Sequence, residues 1–320
     1  MHGLLIVDKP SGPTSHDVVA RVRRALREKR IGHTGTLDPL ASGVLPLVIG
    51  RATRLARFIG GDKAYDATIR LGLNTDTGDA LGVPAGTPYS GPWPDRATID
   101  TALDRCRGTF LQQPPAFSAK KIAGRRSYAL ARKARAQAAT VDEETDVQAD
   151  ADVVVLLPDP VAVTAYAIEL LEVEEDRVRV SVRCSAGFYI RSLAVDLGAA
   201  VGTGAHLIAL RRTEAAGVGL DRAVPLARIE AGDGATALVP LEQMLTGLPA
   251  VSLTEAGVAH VRCGRTLGPA DASAGFAAAI AAVSADRSRA VRLLGPSGLL
   301  VAMAGAADTP GLLHPGVVLL

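Results

Sequence analysis

Apolar positions along this chain follow two different periods. Leu4 to Val7 form a short continuous apolar run closed by a Pro/Gly turn, Lys9-Pro10-Ser11-Gly12-Pro13, which predicts a strand and then a turn. Beyond it, Val18, Val22 and Leu26 recur every four residues, the spacing of one helix face. Thr14 or Ser15 supplies the N-cap and Asp17 an acid for the first turn. Arg21, Arg24, Arg27 and Lys29 lie off the apolar stripe, as a solvated face. Val44 to Ile49 is a second apolar run, Tyr65 to Leu71 and Val178 to Cys184 read as strands, and Thr98 to Arg107 and Ser192 to Val201 read as helices. Strands and helices interleave without a regular βαβ period, so the pattern favours α+β over a doubly wound sheet. After Val251 small residues and short apolar runs broken by Gly predict a small β-rich second domain, with Ala272 to Ala285 either helix or linker.

A length of 320 residues agrees with two domains. At 48% hydrophobic and 21% charged, the composition excludes collagen-like and disordered chains. Cys106, Cys184 and Cys263 stand far apart, with no CxxC pair and no His at ligand spacing, as in a reduced cytosolic chain without structural zinc. No run of about 18 apolar residues occurs, so neither export nor membrane insertion is expected.

The net charge of +2 conceals a strong asymmetry. Residues 1–140 hold 22 Lys and Arg against 11 Asp and Glu, whereas residues 141–160 hold seven acids and no base. A basic N-terminal half suits a polyanion, because neutralising phosphates releases counterions. Lys120, Lys121, Arg125, Arg126, Arg132, Lys133 and Arg135 concentrate that charge on a Gly-containing hairpin and helix, a candidate clamp on a phosphate backbone at about 118–140. The acidic extension at about 141–160 follows directly.

The loop Gly32-His33-Thr34-Gly35-Thr36-Leu37-Asp38-Pro39-Leu40-Ala41-Ser42-Gly43 is the most unusual local feature. Pro39 restricts Asp38 to extended or turn geometry, so the loop either fixes one carboxylate or makes a structural turn. Neither GxxxxGKS/T nor GxGxxG after a strand is present, which argues against nucleotide-cofactor binding. Five motifs then occur in order: DKPxGxTSxxVV from Asp8, GHTGTLDPLASGVLP from Gly32, KxYxAxxxLGxxTDTxDxxG from Lys63, QxPPxFSAxKxxGxxxYxxAR from Gln112, and CxxGxYIRxLxxDLG from Cys184. In these the chain resembles the TruB family of tRNA pseudouridine-55 synthases, from Leu5 to about Gly217.

The resemblance implies an α+β pseudouridine synthase fold: a central mixed, largely antiparallel sheet flanked by helices in a catalytic domain at 1–250. A small PUA-like β-rich domain follows at 251–320, suggested by Val251-Ser252-Leu253, Val258, Gly264 and Leu267. It also implies isomerisation of the T-loop uridine of tRNA, with base flipping and no cofactor. Turning uridine into pseudouridine breaks a C–N glycosidic bond, turns the uracil and joins C1′ to C5, after which the C5 proton leaves. One carboxylate in a water-poor pocket suffices, acting either as nucleophile or along a glycal-like route. By the resemblance that carboxylate is Asp38, with Arg191 pairing it, Tyr65 stacking on the base, Tyr189 contacting the uracil and assisting proton loss, and Leu210 walling the pocket. His33 helps expel the nucleotide from its stack, Lys9 supports the loop, and Lys121 lies in the RNA-gripping segment. Ala186 departs from the family, where a basic residue is common, and so removes one phosphate contact. The expected partner is the tRNA T-arm, read by shape and a flipped loop base. No membrane or protein partner is called for, and without a long heptad or apolar stripe a monomer is expected. Two other classes share features: a tRNA-binding folding factor, which would not need the carboxylate, and a glycoside hydrolase, which uses two acids about 5 to 9.5 Å apart where the motifs offer one.

Overall fold

The computed structural model describes residues 1–118, 120–122, 125–126 and 157–320, with the backbone alone at 121, 122, 125 and 126. The described residues divide into two compact units, one made of Met1–Asp38, Gly43–Gly60 and Val218–Leu320, the other of Pro39–Ser42 and Gly61–Gly217. Most of the basic segment and the acidic extension read from the sequence lie outside the described residues.

In the first unit the initial apolar run becomes strand β1 (Gly3–Lys9), longer than Leu4 to Val7. It pairs antiparallel with β3 (Ser42–Ile49), from Gly3 opposite Ile49 to Lys9 opposite Gly43, and β2 (Ile31–His33) pairs with the far side of β3. Short segments Val224–Pro225 and Val239–Pro240 complete the pairing of β1. Helix α1 (Ser15–Leu26) starts where the polar pattern placed it. Thr14, not Ser15, is the N-cap: its hydroxyl accepts from the Asp17 amide at 3.1 Å while Asp17 Oδ2 accepts from the Thr14 amide at 2.9 Å, a reciprocal capping box. Val18, Val19 and Val22 are buried beneath it. On its outer side Arg24, Arg27 and Lys29 are exposed as expected, but Arg21 is gripped by Glu230 through two bonds of 2.6 and 2.7 Å.

The tail forms a separate five-stranded sheet in the order Ala272–Ala274, Ala250–Leu253, Val291–Leu294, Leu300–Ala306, Leu313–Val318. Its own core gathers Val251, Leu253, Val258, Val261, Leu293 and Leu313. The ambiguous stretch 272–285 resolves into a short strand and then a helix, Phe276–Ala285, turned at Gly275. Arg51 and Arg54 donate to the Leu319 and Val318 carbonyls, tying the last strand to the one-sided helical turn Gly50–Phe58.

In the second unit an antiparallel sheet runs in the order Ala205–Ala215, β4 (Lys63–Leu71), Arg177–Cys184, Val161–Glu174, Gly108–Gln112. Alternation decides its faces: Tyr65, Ala67, Ile69 and Leu71 of β4 and Val178, Val180, Val182 and Cys184 of its neighbour are buried, while residues between them are mostly exposed or half-buried. Helix α2 (Arg96–Asp104) begins earlier than its apolar pattern suggested, because Asp95 caps it by accepting from the Thr98 amide. Helix α3 (Ile190–Ala200) packs on β4 and on Ala205–Ala215. At Gly198 the helix touches the following strand so closely that a Cβ would lie 2.2 Å from the Ala205 nitrogen, so no other residue fits. Among the described residues no helix is long and apolar enough to cross a membrane.

Candidate active site

In the first unit, the loop that carries Asp38 is fixed from the start of α1. The buried Ser15 hydroxyl accepts from the Leu37 amide at 2.8 Å and donates to the Leu37 carbonyl at 3.0 Å, so both polar groups of the residue before Asp38 are held by one side chain. Leu37 is itself buried, Asp38 is half-buried, and after it the chain passes into the second unit at Pro39. His33 stands on β2 opposite Leu47, edge-on to His16 with ring centres 5.3 Å apart. Lys9, at the end of β1, is wholly buried and donates from Nζ to the Pro10 carbonyl at 2.9 Å.

In the second unit, Tyr189 and Arg191 sit where a strand and loop give way to α3. Tyr189 is the extended N-cap residue, half-buried, and offers the helix no side-chain cap. Its peptide groups are instead held by Gln112, which accepts from the Tyr189 amide at 2.8 Å and donates to its carbonyl at 3.0 Å. Arg191, in the first turn and 5% exposed, donates from one terminal nitrogen to the Thr77 carbonyl at 2.9 Å and from the other to the Phe117 carbonyl at 2.8 Å. Its Nε lies 3.8 Å from Asp79 Oδ2. Asp79 is equally buried, and its Oδ1 accepts from the Thr77 hydroxyl at 2.8 Å and the Leu81 amide at 3.0 Å. A carboxylate and a guanidinium removed from water in this way attract each other with little solvent screening.

Tyr65 on β4 and Leu210 on the adjacent strand share one face of the sheet, since Leu210 lies opposite Ala67 and Ala67 follows Tyr65 by two residues. Both are buried, at 6% and 8% exposure. The Lys121 backbone pairs with Arg126 in a two-stranded hairpin, and its side chain lies outside the described residues. Three of the positioning residues, Ser15, Asp79 and Gln112, belong to the motifs quoted above but were assigned no role by sequence. Bonds of these residues join the first motif with the second, through Ser15, and the third and fourth with the fifth, through Asp79 and Gln112.

Residues 23–190 match the family described as TruB family pseudouridylate synthase (N terminal domain), and residues 191–246 the tRNA pseudouridylate synthase B C-terminal domain. A relative from Solibacter usitatus called tRNA pseudouridine synthase B is 41% identical across the whole of both chains. One of the same description from Mycobacteroides abscessus is 42% identical over 92% of this chain and 93% of its own. Among solved structures, an H/ACA RNP bound to a substrate RNA containing 2′-deoxyuridine superposes with a TM-score of 0.67 at 25% identity, and a Cbf5-Nop10-Gar1 complex with 0.67 at 27%. Each covers 99% of this chain and has 85% of its own length matched.

Proposed function

The chain belongs to the TruB family of pseudouridylate synthases, and from that premise we propose that it isomerises the T-loop uridine of tRNA, position 55, to pseudouridine. The observation that carries this reading is the way three distant motifs converge on the buried Arg191 while Tyr189 beside it is fixed by its main chain. A binding module has no need of a guanidinium held so firmly; a reaction that depends on one carboxylate kept in a fixed pose by a partner cation does.

Asp38 supplies the carboxylate, on the face of the flipped nucleotide where the C–N bond breaks, with Arg191 as the cation that pairs with it and fixes its pose. Tyr65 stacks on the uracil, a contact worth roughly 1 to 3 kcal/mol. Leu210 walls the pocket, Tyr189 meets the rotated ring near the departing C5 proton, His33 fills the space the nucleotide leaves, and Lys9 supports the Asp38 loop. Lys121 and the neighbouring bases grip the T-arm backbone. The reaction is an isomerisation: the glycosidic C–N bond is exchanged for C1′–C5, and the C5 proton leaves as N1 gains one. The protein acts as a monomer in the cytosol, with residues 1–250 as the catalytic domain and 251–320 as a PUA-like RNA-binding domain.

Tritium release from a tRNA transcript labelled at uridine C5 tests the reading. Isomerisation liberates the label at one uridine per tRNA, and changing that uridine to cytidine abolishes release. Retention of the label, or release from several uridines, overturns the assignment.

A further inference from the structure

One cation on the Tyr65 face of the sheet has no use in the scheme above. Lys63 opens β4 two residues before Tyr65, so both side chains leave the same face. Its strand neighbours are Cys184 on one side and Ala215 on the other, while Tyr65 lies between Val182 and the fully buried Arg212. Lys63 is half-buried, and burial together with the nearby Arg212 guanidinium pulls its ammonium below the usual lysine range. The acids close by are committed elsewhere: Asp62 accepts from the Tyr166 hydroxyl, and Glu214 is paired with Arg183 at 3.2 Å. Among the described residues none takes the Lys63 ammonium in a hydrogen bond or ion pair. A half-buried ammonium that no described residue accepts from, one pleat away from an aromatic platform, leaves a place for an anion.

We propose that Lys63 binds a backbone phosphate of the RNA adjoining the nucleotide that stacks on Tyr65. The inference rests on the proposed function in that Tyr65 is taken as the base-stacking residue. A nucleotide stacked on that ring carries a phosphate on either side of its ribose, within reach of a lysine stem rooted one pleat away, and Lys gives a compact charge suited to a single phosphate oxygen. Lys63 is thus a positioning residue: it sets where the nucleotide rests and takes no part in bond making.

Binding of an unlabelled tRNA transcript is measured across a salt series for the wild type, Lys63→Met and Lys63→Arg. Met keeps the length and apolar character of the stem, and Lys63→Gln serves as a second neutral variant should Met disturb folding. A lost phosphate contact flattens the plot of log affinity against log salt by about 0.7 to 0.9 and weakens binding roughly tenfold at low salt. Lys63→Arg retains the wild-type slope. In the tritium assay the neutral variants raise KM by a similar factor and leave the saturated single-turnover rate near wild type. Salt plots of the neutral variants parallel to the wild type, or a loss confined to the saturated rate, overturn the proposal. Because the salt slope is read from binding, it judges Lys63 whether or not tritium is released, whereas absence of release from the wild type overturns the functional reading alone.

Discussion

Replacing Asp79 by Asn tests whether Arg191 is held by charge as well as by shape. The two side chains are 7% and 5% exposed, with Arg191 Nε 3.8 Å from Asp79 Oδ2, so solvent screening is small. At that separation and an effective dielectric of about 20, the attraction amounts to about 4 kcal/mol. Asn preserves volume and can still accept, through Oδ1, from the Thr77 hydroxyl and the Leu81 amide. Its amide nitrogen, however, then faces the guanidinium donor to donor. Part of the lost attraction is offset because a neutral amide costs less to bury than a carboxylate. A net destabilisation of about 3 kcal/mol follows, at the lower end of what removing one partner of a buried pair costs. Two carbonyl bonds, to Thr77 and Phe117, are untouched by the substitution and still hold Arg191. If half to all of that energy is positioning the active site no longer receives, single-turnover tritium release falls by roughly tenfold to a hundredfold. Urea unfolding at neutral pH gives the stability, and tritium release with saturating enzyme gives the rate. A loss under about 0.5 kcal/mol together with an unchanged rate would show that Arg191 is oriented without Asp79, and would refute the argument.

Other outcomes follow from the same geometry. Asp38→Asn removes turnover in the tritium assay while tRNA affinity, measured by filter binding, stays near wild type. Ser15→Ala strands the buried amide and carbonyl of Leu37, costing about 2 to 4 kcal/mol by urea unfolding and slowing isomerisation by loosening the residue before Asp38. Gly198→Ala drives a Cβ to 2.2 Å from a backbone nitrogen, so the variant loses at least about 3 kcal/mol and shows a lowered Tm or no soluble product. Burial pushes the Cys106 thiol up to about 11 and Cys184 up to about 12, whereas Cys263 is exposed. One thiol therefore reacts with a disulfide reagent in the native protein and the other two only after unfolding.

How far each residue's role was legible depended on how near its partner lies in the chain. The start of α1, with its cap at Thr14 or Ser15 and Asp17 in the first turn, was readable because these residues lie within the reach of local helix rules. The strand faces of β4 and of Arg177–Cys184 were readable because a period of two needs no knowledge of what covers it. Ser15 was read as an alternative cap, although its hydroxyl serves Leu37, 22 residues away. The partners of Arg191 at Thr77 and Phe117 are 114 and 74 positions distant, and Gln112 meets Tyr189 across 77. No periodicity reports such pairs, since the fold alone decides which loops meet. The family resemblance named the residues with chemistry but attached no task to Ser15, Asp79 or Gln112.

Those three share a property that explains why they occur in the motifs at all. Each binds a peptide group or a charge belonging to a residue at, or next to, a position assigned to chemistry, and each is buried, so water cannot replace it. A peptide whose amide and carbonyl are both held cannot rotate without breaking two bonds, which costs more than either alone because both groups are then left unsatisfied. Ser15 does this for Leu37 and Gln112 for Tyr189, one in each unit. The backbone on which Asp38 and Tyr189 depend is therefore fixed before any RNA arrives, and binding energy need not be spent on ordering it. Much of the motif length thus encodes the holding of a few reactive groups rather than the groups themselves. Substitution at these holding residues should then reduce the rate of the bound complex more than the affinity for tRNA, the opposite of what removal of the Lys63 ammonium does.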